Sequence, residues 1–145
     1  MTIYGNVADP RWFDSLLHSV EDEGCCRYGG VVSFNKTTDV LKDYYAMLFP
    51  TYYDGEGFAG TLIDSLAAGV PIIASDWKYN PELVKQGSTG ILFKTHDVEE
   101  LTNALIYIYE NQRMWNGKRT NCIEEAKNFT PEVAVSQLVE TLSLS

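Results

Sequence analysis

The residues with the clearest chemical potential lie in a glycine-rich stretch of the 145-residue chain. Residues 55–60 read G-E-G-F-A-G and contain the pattern G-x-G-x-x-G. An apolar run at 45–49, predicted as a strand, precedes them, and a helical pattern at 61–68 follows. Asp76 supplies an acid about 20 residues after the first glycine, as in a dinucleotide-binding site. Glycine amides and a helix N-terminus bind phosphate, so this stretch predicts a phosphate-containing ligand.

Three features of the stretch disfavour a nicotinamide or flavin. Residues 50–54 separate the predicted strand from the glycines, so the turn is long where a dinucleotide site has a tight one. Earlier β-α units precede it, whereas the dinucleotide pattern normally opens a domain. Glu56 lies inside the loop, and a carboxylate about 4 Å from a phosphate charge costs about 4 kcal/mol at an effective dielectric constant of about 20. An NAD-binding domain is therefore the less favoured hypothesis.

A sugar nucleotide suits the same residues better, because carboxylates accept hydrogen bonds from hydroxyl groups. Glu56 is then a ligand for sugar hydroxyls. Gly60 and Thr61 stand at the start of the predicted helix, where free N–H groups and the positive end of the helix dipole favour a diphosphate. Asp64 lies about one turn further on, where its carboxylate can accept hydrogen bonds from a ribose diol.

The elements that must position these residues alternate along the chain. Short apolar runs separated by helical patterns predict parallel β-α units, and so an α/β fold with a Rossmann-like sheet of about five strands flanked by helices. We expect one domain over residues 1–145. The predicted strands are 2–4, 27–32, 45–49, 71–74 and 90–93, and the predicted helices are 10–20, 38–42, 61–68, one from 80, one from 97, 114–127 and one from 131.

Apolar residues at helical spacing predict which helix faces are buried. These predicted core residues are Trp12, Phe13, Leu16, Leu17 and Val20 in the first helix, Leu101, Ala104, Leu105 and Ile108 in the helix after Asp97, Val135, Leu138, Val139 and Leu142 in the last helix, and the aromatic residues Trp115 and Phe129. Asp97 with Glu100 has the spacing of a capping box, and Gly69 stands where a helix-ending glycine is expected.

Composition excludes several classes of partner. The net charge is -9, with no run of Lys or Arg, which disfavours nucleic acid. No apolar window approaches the length of a membrane span, and no signal-peptide pattern is present. Cys25, Cys26 and Cys122 lack disulfide or metal-site spacing, and His18 and His96 lack ligand partners, so we expect reduced thiols, a cytoplasmic location and no bound metal.

Residues 49–93 resemble the donor-binding half of glycosyltransferase family 4, a family of retaining GT-B enzymes. The family pattern reads roughly P-S-x-x-E-G-F-x-x-x-x-L-E-A-M-A-x-G-x-P-V-I-A-S, followed by P-E and T-G-L-L. This chain has P-T-Y-Y-D-G-E-G-F-A-G-T-L-I-D-S-L-A-A-G-V-P-I-I-A-S in that place, followed by P-E and T-G-I-L. The family signature is two glutamates separated by seven residues, and the corresponding pair here is Glu56 and Asp64.

The resemblance implies a role for each matching position. Glu56 matches the glutamate that contacts the transferred sugar near the reacting centre, which makes it the candidate catalytic residue. Gly57, Phe58 and Ala59 match the backbone that approaches the sugar hydroxyls and the diphosphate. Asp64 matches the glutamate that binds the ribose. Its side chain is one methylene shorter, so a ribose contact needs a closer helix or a bridging water.

The resemblance is looser elsewhere. Gly30 and Val31 fall near the strand end that faces the nucleotide base. The family usually has Gly-Gly between Asp76 and Pro81, but this chain has Trp-Lys-Tyr-Asn, a version that looks like one in capsular-polysaccharide and O-antigen transferases. Lys78 in that segment is a candidate phosphate contact, although a solvated surface lysine is the commoner situation.

Taken as a whole, the resemblance implies the C-terminal half of a GT-B fold, without the acceptor-binding domain and the first β-α unit of the donor domain. It implies a UDP- or GDP-linked hexose donor, a saccharide or lipid-linked acceptor, no metal and no further cofactor. We expect this chain alone to lack transferase activity, and the resemblance allows peripheral membrane association of the full enzyme at the inner membrane face. A non-catalytic nucleotide-binding α/β module is the alternative.

Overall fold

The computed structural model describes residues 1–21 and 25–143. The chain is divided into two compact units, Met1–Thr37 and Thr38–Ser145. Every strand pair in the described residues is parallel, as the alternation of strands and helices predicts. No helix in the described ranges combines the length and the apolar character needed to span a bilayer.

The first unit is built on a two-stranded sheet in which β1 (Thr2–Tyr4) pairs with β2 (Arg27–Gly30). The helix between them begins where Asp9 Oδ1 accepts hydrogen bonds from the amides of Arg11 and Trp12, at 3.0 and 3.1 Å. Phe13 is buried, and its ring meets Tyr28 edge to face with centroids 4.9 Å apart. The elements are β1 (Thr2–Tyr4), α1 (Pro10–Glu21), β2 (Arg27–Gly30) and a 3-10 helix (Phe34–Lys36).

The second unit contains a three-stranded parallel sheet in the order β3 (Met47–Phe49), β4 (Ile72–Ser75) and β5 (Gly90–Phe93). A helix follows each strand, so each crossover returns the chain to the end of the sheet at which the strands begin. From the boundary onward the elements are α2 (Thr37–Leu41), β3 (Met47–Phe49), α3 (Gly60–Ala67), β4 (Ile72–Ser75), α4 (Asn80–Leu83), β5 (Gly90–Phe93), α5 (Val98–Glu110), α6 (Gln112–Ala126), a 3-10 helix (Lys127–Phe129) and α7 (Pro131–Ser143).

β4 is the central strand, and all of its residues are buried. Its side chains alternate between the two faces of the sheet, as the two-residue period of a strand requires. Ile72 and Ala74 join a cluster that contains the apolar face of α3. Ile73 joins a second cluster, on α5 and α6, that contains Trp115. The core of the second unit therefore has one layer on each side of β4.

Trp115 attaches α6 to the start of β3. It is fully buried, and its indole Nε1 donates a hydrogen bond to the Tyr45 carbonyl at 3.0 Å. The Tyr45 hydroxyl in turn donates to the Ile108 carbonyl at 3.1 Å. Arg119, one turn further along α6, donates to the Tyr44 carbonyl at 3.2 Å. The bonds from Trp115 and Arg119 satisfy carbonyls that precede β3 and hold α6 against the sheet.

The predicted strands are all present, but in two sheets rather than one. β1 and β2 lie in the first unit, and β3, β4 and β5 form the sheet of the second. Gly69 follows α3 with a φ of 67°, a left-handed conformation that glycine adopts without strain. Asp97 caps α5 by accepting a hydrogen bond from the Glu100 amide at 2.9 Å, while the Glu100 carboxylate accepts from the Lys94 amide at 2.7 Å.

The predicted buried faces are wrong in part. In α7, Val135, Val139 and Leu142 are 58%, 55% and 66% exposed. Trp12 in α1 and Leu105 in α5 are also exposed, whereas Phe13, Ala104, Ile108 and Trp115 are buried as predicted, Phe129 is half-buried, and the side chains of Val20 and Leu138 lie outside the described residues. Periodicity predicts that one face of a helix is apolar, but it carries no information on what covers that face.

Candidate functional site

Three loops leave the carboxyl ends of the three strands of the second unit. Residues 50–59, called the glycine loop from here on, connect β3 to α3. Residues 76–79 follow β4 and residues 94–97 follow β5. In parallel α/β sheets ligands bind at the carboxyl ends of the strands, because the loops and the helix N-termini converge there. The glycine loop is therefore in the position of a ligand site.

Glu56 lies half-buried in the glycine loop and is held from two sides. Its amide donates a hydrogen bond to the Tyr53 carbonyl at 3.0 Å, which closes a tight turn. Its Oε2 accepts a hydrogen bond from Thr51 Oγ1 at 3.3 Å. Thr51 Oγ1 also accepts from the Tyr53 amide at 3.2 Å, so the turn and the carboxylate share one hydroxyl. The carboxylate has further lone pairs available for ligand hydroxyls.

The first turn of α3 lacks a side-chain cap. Its N-cap residue is Ala59, which is buried and makes no side-chain hydrogen bond. The amides of Gly60 and Thr61 donate no hydrogen bond to any residue in the described part of the chain. Unsatisfied N–H groups at a helix N-terminus carry partial positive charge and favour an anion. The helix thus presents donors that its own residues leave unused.

Neither backbone conformation nor packing requires glycine at positions 57 and 60. Their φ angles lie outside the left-handed region. A Cβ atom built on either glycine would meet no heavy atom of the described chain within 4 Å. Gly55 differs, because a Cβ there would meet the exposed ring of Tyr53 at 2.5 Å. The space beside Gly57 and Gly60 is therefore open to a ligand.

Asp64, on α3, is half-buried and has an unused carboxylate. Burial raises the pKa of this carboxyl above its ordinary value, because desolvation disfavours the charged form. Among the described residues none donates a hydrogen bond to it. A partly desolvated carboxylate of this kind is stabilised by a ligand that brings hydroxyl donors.

Asp76 has a different environment from Asp64. Its Oδ1 accepts hydrogen bonds from both the amide and the hydroxyl of Thr95, each at 2.7 Å. These bonds, the hydroxyl's first, lower the pKa of the Asp76 carboxyl. Asp76 therefore ties the loop after β4 to the loop after β5. The acid that completes the dinucleotide pattern already has internal partners, which weakens the NAD hypothesis.

Comparison with known proteins assigns the family. The family described as "Glycosyl transferases group 1" matches residues 1–129. The chain belongs to this family of glycosyltransferases. The family 4 resemblance that residues 49–93 suggested is confirmed, and so is the Rossmann-like α/β fold class of GT-B glycosyltransferases.

Several of the similar proteins are glycosyltransferases longer than this chain. The uncharacterized glycosyltransferase MJ1069 of Methanocaldococcus jannaschii is 33% identical over 107 residues, which cover 72% of this chain and 26% of that protein. O-antigen chain mannosyltransferase B of Escherichia coli is 23% identical over 92% of this chain and 35% of its own length. The crystal structure of Anabaena Alr3699/HepE in complex with UDP has a TM-score of 0.81 at 18% identity, covering 99% of this chain and 40% of that one.

The structure brings several of the predicted site residues into one segment. Glu56 and the residues Gly57, Phe58 and Ala59 lie in the glycine loop, directly before the first turn of α3. Phe58 is half exposed, and its ring packs against Phe129 with centroids 5.9 Å apart. The donor-site roles of these residues remain predictions.

Three predicted site residues belong to other segments of the chain. Lys78 adopts a left-handed φ of 46°, and its Nζ donates to the Asp54 carbonyl and lies 5.8 Å from the centre of the Trp77 ring. Its ammonium therefore contacts the glycine loop in this structure. Gly30 and Val31 belong to the first unit, where Gly30 has a φ of 80° and Val31 is exposed.

Several residues that contact the glycine loop were not predicted from the sequence. Ser75 Oγ donates to the Thr51 carbonyl, and Trp77 Nε1 donates to the Tyr53 carbonyl at 2.9 Å. The ring of His96 lies 4.5 Å from that of Tyr52, and His96 has a left-handed φ of 66°. The only sequence signal was their position directly after predicted strands, where functional loops of α/β folds begin.

Proposed function

We propose that this chain is the nucleotide-sugar-binding part of a retaining GT-B glycosyltransferase. The enzyme would move a hexose from a UDP- or GDP-linked donor to a saccharide or lipid-linked acceptor, as in the synthesis of surface polysaccharides. The O-antigen mannosyltransferase among its relatives and the UDP complex among its structural neighbours support this substrate class.

The observation that carries the proposal is the open space beside Gly57 and Gly60. Glycine at these positions is explained neither by φ nor by a crowded neighbour. A ligand that approaches the backbone closely would explain both glycines, since a side chain there would stand in its way. The uncapped amides of Gly60 and Thr61 adjoin this space in sequence and provide donors for a diphosphate.

In the proposed complex each residue has one task. Glu56 accepts hydrogen bonds from the transferred sugar and stabilises positive charge that develops near its anomeric carbon. The amides of residues 57–61 stabilise the negative charge of the departing diphosphate, which is a task that needs no metal. Asp64 accepts hydrogen bonds from the ribose hydroxyls, whose donors would offset the desolvation of its carboxylate.

The acceptor site belongs to a part of the enzyme beyond this chain in our proposal. The chain spans 26% of MJ1069 and 35% of the O-antigen mannosyltransferase, so most of each relative has no counterpart here. We therefore expect the isolated chain to bind a donor but not to transfer sugar. Cytoplasmic location, with peripheral membrane association of the full enzyme, is part of the same proposal.

Titration calorimetry of the chain with UDP, GDP and NAD tests the proposal. We expect UDP or GDP to bind, and Glu56→Ala or Asp64→Ala to weaken the binding of the matching nucleotide sugar about tenfold or more, the effect of losing a hydrogen bond to a charged group. Glu110→Gln, at the exposed end of α5, is the control and should leave the affinity unchanged. Binding of NAD without UDP or GDP would refute the proposal.

A further inference from the structure

The glycine loop is held by a second segment of the chain. Residues 75–78, called the anchor segment from here on, end β4 and enter the loop after it. Three of its side chains donate hydrogen bonds to backbone carbonyls of the glycine loop. These bonds run from Ser75 Oγ to Thr51, from Trp77 Nε1 to Tyr53 at 2.9 Å, and from Lys78 Nζ to Asp54.

The anchor segment is itself fixed to the most buried part of the sheet. Ser75 is the last residue of β4 and is fully buried. The side chain of Asn80, which is also buried, donates a hydrogen bond to the Ser75 carbonyl at 3.0 Å. The backbone N–H of Asn80 donates a second hydrogen bond, to the Trp77 carbonyl at 3.0 Å. The donors that contact the glycine loop therefore lie on a closed turn. Its buried polar residues, Ser75 and Asn80, are hydrogen-bonded, and hydrogen-bonded buried polar groups make a rigid support.

Lys78 has a left-handed backbone conformation that is unusual for lysine. Its φ of 46° lies in the left-handed region, which residues with a Cβ rarely adopt. Glycine would take this φ without strain, so the backbone gives no reason for a lysine at this position. The contact of its Nζ with the Asp54 carbonyl supplies a reason, because a glycine could not make it.

The anchoring reaches Glu56 directly. Two of the three residues whose carbonyls are held, Thr51 and Tyr53, also make the hydrogen bonds that position Glu56. Thr51 donates its hydroxyl to the Glu56 carboxylate, and Tyr53 accepts from the Glu56 amide. The amides of Gly60 and Thr61 belong to α3 and make no hydrogen bond with residues 75–78. The hydrogen bonds of the anchor segment thus lead to the Glu56 carboxylate and not to the two amides at the start of α3.

We infer that Ser75, Trp77 and Lys78 are positioning residues that hold Glu56 in place for the sugar of the donor, and that they set the preference for nucleotide sugar over free nucleotide. The inference rests on the proposed function for its second half. Its first half, that the anchor segment immobilises the glycine loop, is independent of any ligand.

Hydrogen exchange tests the first half without a nucleotide. Trp77→Phe removes the indole N–H but keeps an aromatic ring, and Lys78→Met removes the ammonium but keeps the aliphatic stem. We expect both to raise the exchange rate of the Glu56 amide about 3- to 10-fold, the effect of losing one net hydrogen bond. Trp12→Phe, at an exposed position of the first unit, is the matched control and should leave this rate unchanged. Unaltered exchange in both anchor variants would overturn the inference.

Calorimetry with UDP and UDP-glucose, and with GDP and GDP-mannose, tests the second half. We expect Trp77→Phe to weaken binding of the sugar-bearing ligand about 3- to 10-fold and to change that of the free nucleotide less than twofold. In a Glu56→Gln background the same substitution should have a smaller effect, because the glutamine carbonyl accepts hydrogen bonds from the sugar more weakly than the carboxylate does.

The outcomes separate the two proposals. Equal losses for nucleotide and nucleotide sugar would overturn the positioning role while leaving donor binding intact. An effect of Trp77→Phe that persists undiminished in the Glu56→Gln background would also overturn it. Absence of binding by all four ligands to the unaltered chain would refute the proposed function, and with it the preference for nucleotide sugar.

Discussion

Replacing Gly57 and Gly60 by alanine separates the demands of folding from those of ligand binding. Neither glycine has a left-handed φ, and an added Cβ has no heavy atom of the described chain within 4 Å. Alanine should therefore fit, and it restricts the unfolded chain. We expect each variant to gain about 0.4–1 kcal/mol of unfolding free energy.

Binding should change in the opposite direction. If a diphosphate lies against these residues, the added methyl group displaces it from the amides of the first turn of α3. The loss of one hydrogen bond to a charged group is worth about 1.5–3 kcal/mol, which corresponds to a factor of roughly 10 to 150 in affinity for UDP or GDP. The free energy of unfolding comes from urea titration, and the affinity comes from calorimetry on the same samples.

Gly117→Ala is the matched control for both measurements. Gly117 lies inside α6, and a Cβ there also meets nothing within 4 Å. Alanine in a helix interior is favoured over glycine by about 0.5–1 kcal/mol, so this variant should be stabilised and should bind nucleotide normally. The reasoning fails if Gly57→Ala and Gly60→Ala keep nucleotide affinity within twofold, or if they unfold more easily than the unaltered chain.

Other predictions concern buried groups. Burial raises the pKa of the Asp64 carboxyl in the folded chain above its value in the unfolded chain. The free energy of unfolding should therefore fall as pH rises from the unfolded-state pKa to the folded-state pKa. Urea titrations at a series of pH values should show this fall in the unaltered chain and not in Asp64→Asn. Burial raises the pKa of the Cys122 thiol to about 11, so a thiol reagent at pH 8 should label Cys25 and Cys26 in the folded chain and Cys122 only after unfolding, counted by mass spectrometry. Trp115→Ala should cost about 3–5 kcal/mol of unfolding free energy in urea titration.

The parts of the fold that could be predicted are those determined by short-range patterns. The apolar runs give the three strands of the second unit, β3, β4 and β5, because a parallel strand covered on both faces needs a nearly uninterrupted set of apolar residues. Asp97 with Glu100 marks the start of α5, and Gly69 marks the end of α3, since capping chemistry is local.

Features that depend on distant partners could not be predicted. The division of five strands into two sheets depends on contacts between elements that are far apart in sequence. The exposed apolar residues of α7 follow a pattern that looks the same whether or not another element covers it. Tyr45, predicted to lie in β3, precedes that strand, and its carbonyl accepts a hydrogen bond from Trp115 Nε1.

The candidate site was partly visible in the sequence. Glu56, Gly57, Gly60 and Asp64 were found because their spacing reflects one loop and one helix turn. The anchor segment was not found, because its bonds join residues 24 apart in sequence. Lys78 was expected to face phosphate or solvent, and its contact with the Asp54 carbonyl follows from a left-handed backbone that no sequence pattern indicates.

Backbone NMR of the ¹⁵N-labelled chain, titrated with UDP and with GDP, tests the central claim most directly. That claim is that the open amides around Gly57, Gly60 and Thr61 bind the diphosphate of the donor. The account predicts that one of the two nucleotides produces its largest amide shifts at these three residues. Shifts confined to residues outside the glycine loop and α3, or no shifts with either nucleotide at millimolar concentration, would contradict it.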